Sequence, residues 1–152
     1  MTTKSGAQIV VKHRYAVPPE RVFDAFLDVH TARRFLFATA AGEMITAEID
    51  ARVGGRFEFT ERRPDLGAVR HVGEYLEIDR PRRLVFTFGV PQFHPGITTV
   101  TIEIRPHGEG CELTLTNDGL PPEYLERTRH GWTVILAGLL PAYEGVHAAG
   151  WR

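Results

Sequence analysis

The sequence is short of several things that would decide its nature at once. It has a single cysteine, Cys111, so no intrachain disulfide can form and a secreted, disulfide-built scaffold gets no support. Neither charge is in surplus: 18 lysines and arginines face 19 aspartates and glutamates, spread along the chain. The basic footprint that nucleic acid or an anionic membrane surface requires is therefore missing. No stretch approaches the roughly 20 apolar residues of a membrane span. The opening Met-Thr-Thr-Lys-Ser-Gly lacks the apolar run of a signal peptide. Together these absences point to a cytoplasmic protein with no nucleic acid or membrane partner.

Catalytic signatures are equally scarce. Seven histidines lie at 13, 30, 71, 94, 107, 130 and 147, with no pair at i,i+3 or i,i+4 and no carboxylate at ligand spacing. Scattered surface histidines, and no metal, are the expectation. There is no serine-centred elbow, P-loop or dinucleotide fingerprint, so no cofactor is implied. Gly54-Gly55 is followed by a β-run and reads as a turn, not as a phosphate cradle. Cys111 begins a β-run on its apolar side with no adjacent base, which makes it a buried, inert thiol.

What is present is enough to build a core. Of 152 residues, 43% are apolar and 24% charged, the balance of one globular domain and not of a disordered chain. That domain is expected to occupy the whole chain, with its core at about 9–145. Ile9, Val11, His13 and Tyr15 alternate on one face of a first strand. Pro18-Pro19-Glu20 then opens a helix, since proline is tolerated in the first turn and Glu20 suits the positive end of the dipole. Its stripe is Val22, Phe23, Phe26 and Leu27. A second short helix runs from about His30 to Phe37.

From 43 to 119 six short β-runs follow one another at 43–50, 56–62, 69–79, 83–90, 97–106 and 111–118, divided by turn signals such as Gly54-Gly55 and Arg80-Pro81-Arg82. Connections this short are hairpins of an antiparallel meander. Val100, Ile102 and Ile104, like Cys111, Leu113 and Leu115, alternate with polar neighbours, which gives one dry face. The last β-run ends at Asp118, and after Asn117-Asp118-Gly119 a last helix is opened by Pro121-Pro122-Glu123. Trp132, Leu136, Leu139 and Tyr143, joined by Ile135, form that helix's apolar face. Pro141 predicts a kink or an end within it. The fold class is α+β: a sheet too wide to stay flat curls, and one helix laid across it covers the concavity incompletely.

Six segments in the right order carry a resemblance. They are Tyr15-Ala-Val-Pro-Pro-Glu-Arg-Val-Phe-Asp-Ala-Phe26, Val53-Gly-Gly-Arg-Phe57, Gly73-Glu-Tyr-Leu-Glu-Ile78, Pro81-Arg-Arg-Leu-Val-Phe-Thr-Phe88, Leu113-Thr-Leu-Thr116 and Gly131-Trp132. The chain resembles the helix-grip superfamily called SRPBCC (START, birch-pollen-allergen-like and polyketide-cyclase-like proteins). Within it the chain is most similar to the branch named after the C-terminal domain of the activator of heat shock protein 90 ATPase. The resemblance implies a curved seven-stranded antiparallel sheet, two short helices between strands 1 and 2, and a long C-terminal helix across the concave face with a cavity beneath it. It also implies lipid, sterol, hormone or polyketide-like ligands in various members, and enzymes only in some. The family often has tryptophan where this chain has Phe35, and histidine in a Thr-His-Ser-Gly run where this chain reads Thr116-Asn117-Asp118-Gly119. Full-length activators carry a further N-terminal domain, so the chain resembles half of one.

The expected cavity lining is aromatic and aliphatic: Phe35, Phe37, Phe57, Phe59, Phe86, Phe88, Phe93, Trp132, Leu136 and Leu139, with His71, Tyr75 and Asn117 as sparse polar points. Small-molecule pockets are commonly composed in this way; an ordinary filled core is the alternative. His71 is expected to reach solvent or a carboxylate. Glu58 should face solvent, and Glu61 should sit at the rim paired with Arg62 or Arg63. Three functions follow in order: binding of an apolar small molecule without catalysis, modulation of a heat shock protein 90 type ATPase, and a cyclase or hydratase using His71, Tyr75 or Glu61. The third requires those three side chains to converge on one point. A homodimer through a sheet edge or the segment near Phe93 is a further expectation.

Overall fold

The computed structural model describes residues 7–93 and 96–148. The elements are β1 (Ala7–Tyr15), α1 (Pro19–Leu27), α2 (Val29–Phe35), β2 (Glu43–Ile49), β3 (Arg56–Arg63), β4 (Gly67–Asp79), β5 (Arg83–Phe88), β6 (Thr98–His107), β7 (Gly110–Leu120), a 3-10 turn (Pro122–Tyr124) and α3 (Leu125–Ala148). All seven strands join one curved antiparallel sheet in the order β1-β7-β6-β5-β4-β3-β2. Strands β2 to β7 form a meander, and β1 lies beside β7 at the far edge. The helix pair α1–α2 therefore carries the chain from one edge of the sheet to the other.

Local chemistry explains this path. Pro19 lies in the first turn of α1, where the missing N–H costs nothing. Asp28 ends α1 and starts α2: its carboxylate accepts from the His30 amide at 3.3 Å and from the Thr31 hydroxyl at 3.0 Å. One residue thus caps a helix and sets the corner. In β4 the register shifts between Tyr75 and Glu77, where Tyr75 pairs with Phe86 but Glu77 with Val85. This bulge releases Glu77 to bond Arg83 at 3.0 Å and turns Ile78 toward the core. Gly73, opposite Phe57, leaves room for that ring to lie over its backbone; an added Cβ would collide with the ring and with the Thr87 carbonyl.

The dry face is the one the alternation requires. Ile9, Val100, Ile102, Ile104, Cys111, Leu113 and Leu115 are buried, and Trp132, Leu136 and Leu139 of α3 pack over them. Fully burying a side chain of this kind is worth about 1.5–3 kcal/mol, so this contact dominates the fold. The Tyr15 hydroxyl donates to the Leu136 carbonyl at 2.7 Å and Arg129 Nη1 to the Val10 carbonyl at 3.3 Å, polar ties between β1 and α3.

Two boundaries differ from expectation. Asn117-Asp118-Gly119 stays in β7, which runs to Leu120, two residues past the expected end at Asp118, with Asn117 opposite both Ile9 and Val100; α3 begins only at Leu125, after the 3-10 turn. A central strand bonded on both sides overrides the turn propensity of those residues. Nor does Pro141 end α3, which runs on to Ala148. Proline leaves the Ala137 carbonyl without its amide, but both residues are on the exposed side of the helix, where water can serve instead. Among the described residues no helix is long and apolar enough to cross a membrane.

The exposed Pro141 gives a direct check. Pro141→Ala restores the missing hydrogen bond and a better helix former. It is expected to raise stability by about 1–3 kcal/mol in urea unfolding. An unchanged midpoint would mean that α3 is already adapted to the proline.

Candidate functional site

Between the end of the sheet formed by β3–β5 and the first turns of α3 lies a groove of about 490 Å³. Phe37 and Thr39 reach it from the loop after α2, Arg63 from β3, His71 from β4 and Phe88 from β5. Phe93 and Thr98 lie across from Gly131, Trp132, Val134 and Ile135 of α3. Phe93 and Val134 are half exposed and form its mouth.

Phe37 organises this end of the molecule. Its backbone lies in the left-handed region, at φ +62°, which is uncommon for a bulky residue. The reward is aromatic contact on every side. Its ring is 4.7 Å from His71 and 4.9 Å from Phe88, within 10° and 4° of parallel, and meets Phe59 and Trp132 edge to face at 5.8 and 5.7 Å. His71 and Phe88 are themselves parallel within 6°. Three rings from three elements thus share one orientation.

Polar groups fix the neighbours. The Trp132 Nε1–H donates to Asn117 Oδ1 at 3.0 Å, and Asn117 Nδ2 donates to Thr98 Oγ1 at 2.9 Å and to the Thr99 carbonyl at 3.3 Å. Asn117 is fully buried, so these bonds carry its whole amide and lock the indole against the sheet. Glu61 is 1% exposed; its carboxylate accepts from the Thr39 amide at 2.6 Å, the Thr39 hydroxyl at 2.8 Å and Arg63 Nε at 2.6 Å. Gly42 lies against it, where any side chain would displace the carboxylate. Glu61 therefore fastens the loop that presents Phe37.

His71 does not reach solvent, as the alternation alone left open; it faces inward and is 5% exposed. Its Nδ1 lies 3.1 Å from the Phe59 carbonyl. Burial pushes its pKa from 6.5 down to about 4, helped by the nearby Arg63 charge and opposed by that hydrogen bond and by Glu61. The imidazole is neutral at ordinary pH. Burial likewise raises the Tyr75 and Tyr15 hydroxyls and the Cys111 thiol, so none of these supplies an anion.

The thirteen expected lining residues separate into two groups. Phe37, His71, Phe88, Phe93 and Trp132 line the groove. Phe35, Phe57, Phe59, Tyr75, Phe86, Asn117, Leu136 and Leu139 are packed in the core behind it; Phe57, for instance, meets Phe86 at 5.4 Å and 88°, and Phe35 meets Phe26 at 5.4 Å and 75°. The space under α3 is thus filled with rings at its centre and open at one end. Only His71 of the trio His71, Tyr75 and Glu61 lines the groove, and the Glu61 carboxylate is already committed, so the convergence a cyclase requires is absent. Glu61 is paired with Arg63 as expected, but buried and not at a rim. Thr39, Arg63, Thr98 and, on α3, Arg127, Gly131 and Val134 line the groove outside the expected set, as does Ile135, which spacing places on the apolar face of α3. Arg127, Gly131, Val134 and Ile135 stand at i, i+4, i+7 and i+8, a strip beside the face that carries Trp132, Leu136 and Leu139.

A second depression of about 540 Å³ is bordered by Glu20, Asp24, Asp28 and Arg80. Arg80 makes a two-pronged ion pair with Asp24 at 2.7 and 2.9 Å there, and the surface reads as solvated charge. No three of the described histidine, cysteine or acidic residues are grouped to hold a metal ion. His94 and the side chain of His147 lie outside the described residues.

A seven-stranded antiparallel sheet curved around a long C-terminal helix, with a groove left between them, defines a helix-grip protein. Residues 16–143 match the family model described as Activator of Hsp90 ATPase homolog 1-like protein, and the chain belongs to that family. Among solved structures, protein CV1439 from Chromobacterium violaceum is 28% identical, with a TM-score of 0.81 over 91% of this chain and 97% of that one. PFC0360w, an HSP90 activator from Plasmodium falciparum, is also 28% identical, with a TM-score of 0.67 over 88% and 93%. Protein NE0264 from Nitrosomonas europaea, at 21% identity and a TM-score of 0.77 over 91% and 95%, shares the fold. No curated protein sequence matches the chain.

The buried His71 has a measurable consequence. The unfolded chain takes up a proton near pH 6.5 and the native ring only near 4, so between those values the unfolded state binds more protons. Stability contributed by neutral His71 is complete above pH 6.5 and declines as pH falls toward 4. Relative to His71→Phe, the native protein should lose about 2–3 kcal/mol between pH 7 and 4.5 in urea titrations. Parallel pH curves for the two proteins would refute the assignment.

Proposed function

We propose that this protein holds a small apolar molecule in the groove between the β3–β5 end of the sheet and α3. The observation that carries this reading is the groove itself. Its volume of about 490 Å³ suits a single small molecule, and Phe37, Phe88, Phe93, Trp132 and Ile135 make its walls mainly apolar. The rings are held by the Trp132–Asn117 bond and the Glu61-anchored loop, so little ordering is left to be done on binding.

Gly131 provides the test. It lines the groove, and a Cβ there would meet nothing within 4 Å. Gly131→Phe fills the space while improving helix propensity by up to about 1 kcal/mol. Native mass spectrometry of the purified protein should find a retained small molecule, and 1-anilinonaphthalene-8-sulfonate should bind saturably and be displaced by apolar extracts. The variant should fold with equal or higher stability and lose both properties. A wild-type protein with no retained mass and no saturable dye binding would sink this reading.

Membership of the activator family, together with 28% identity to the Plasmodium HSP90 activator, favours a second reading: association with a chaperone ATPase. On it, adding the protein to HSP90 should raise ATP turnover in a steady-state assay. Turnover unchanged across a concentration series would remove this reading and leave the first untouched.

A further inference from the structure

The groove's polar wall specifies more than an apolar occupant. The Phe59 carbonyl that faces His71 Nδ1 at 3.1 Å can only accept a hydrogen bond, so Nδ1 carries the proton and donates it. In the neutral ring the lone pair is then on Nε2, and the histidine presents an acceptor to a partner and not a donor. The plane of that acceptor is fixed by the parallel rings of Phe37 and Phe88. Of the two arginines that line the groove, Arg63, beside His71, is already bonded to the buried Glu61 carboxylate at 2.6 Å, which offsets its pull on an anionic ligand, and Arg127, on α3, lies over the Tyr124 ring at 5.3 Å. An occupant bringing a carboxylate or ether oxygen to His71 would set acceptor against acceptor. One bringing a hydrogen to donate would complete the site.

Resting on the ligand-binding reading above, we propose that the groove takes a flat aromatic molecule bearing a hydroxyl or N–H group, which lies parallel to the Phe37, His71 and Phe88 rings and donates its hydrogen to Nε2 of His71. The parallel rings select for a planar π-face, since offset stacking is a favoured aromatic geometry. Trp132, edge-on to Phe37 and Phe88 at 5.7 and 5.9 Å, closes the side of the slot next to α3. The selection for a donor follows from the cost of burying an imidazole acceptor against a group that cannot satisfy it.

Fluorescence titration with 2-naphthol, 2-methoxynaphthalene and naphthalene at pH 7 separates the possibilities, because the first two differ chiefly in the donor. The wild-type protein should bind 2-naphthol about ten-fold more tightly than 2-methoxynaphthalene. His71→Phe, which keeps a ring but loses the acceptor, should bring the two within about two-fold by weakening 2-naphthol alone. Equal wild-type affinities, or a preference that survives in the variant, would overturn the donor assignment while leaving apolar binding intact. Dye binding without saturable binding of any naphthalene would overturn the flat-ring class. Binding of neither dye nor naphthalenes would remove this proposal together with the reading it rests on. Should the variant fail to fold, the His71 Nε2 resonance of nitrogen-15-labelled wild-type protein must shift with 2-naphthol and not with the methyl ether. A resonance that stays in place with both overturns the assignment.

Discussion

The ring of Phe37 is the point at which the helix pair, the sheet and α3 come together, and the backbone is bent to positive φ to bring it there. A conformation of this kind costs of order 1–3 kcal/mol in a residue with a side chain. It persists because the ring then touches His71, Phe88, Phe57, Phe59 and Trp132, and leaving it in solvent would forfeit all of those contacts. Placed as it is, Phe37 closes the inner end of the space under α3. What is left is a groove open at one end in place of a tunnel along the whole helix.

Few hydrogen bonds reach into this aromatic region, and each restricts something that apolar packing leaves free. Trp132 Nε1 on Asn117 fixes the rotation of the indole and the height of α3 over β7. Tyr15 on the Leu136 carbonyl fixes the same helix against β1. Glu61 on Thr39 holds the loop that carries Phe37. Apolar contact is non-directional, so it explains why these elements associate but not their register. The buried polar pairs supply the direction, and every buried side-chain polar atom among the described residues has a partner.

Much of the fold was legible because it rests on short-range pattern. Strand alternation in β6 and β7, the Pro19 start of α1 and the hairpin turns each depend on residues within one element, and they stand within a few positions of where spacing put them. Two differences from expectation lie beyond local pattern. Asn117-Asp118-Gly119 has the composition of a turn but lies between two strands that bond it on both sides. Pro141 breaks a helix when its freed carbonyl is buried and does not when that carbonyl faces water. In the first case strands distant in sequence changed the outcome, and in the second the solvent beside the helix did.

The same division runs through the site. Alternation alone puts Phe57, Phe59 and Glu61 on one face of β3, and helical spacing alone puts Trp132, Leu136 and Leu139 on one face of α3. Those facts belong to the sequence, since the periods of strand and helix are properties of the backbone. Which of those inward side chains fill space and which border a void is not a property of any single element. It depends on how closely α3 approaches the sheet at each turn, on the bulge in β4 and on the left-handed step at Phe37. Only tertiary packing, where volumes from several elements compete for one interior, decided that Phe57 and Phe86 are core while His71 and Phe88 face a groove.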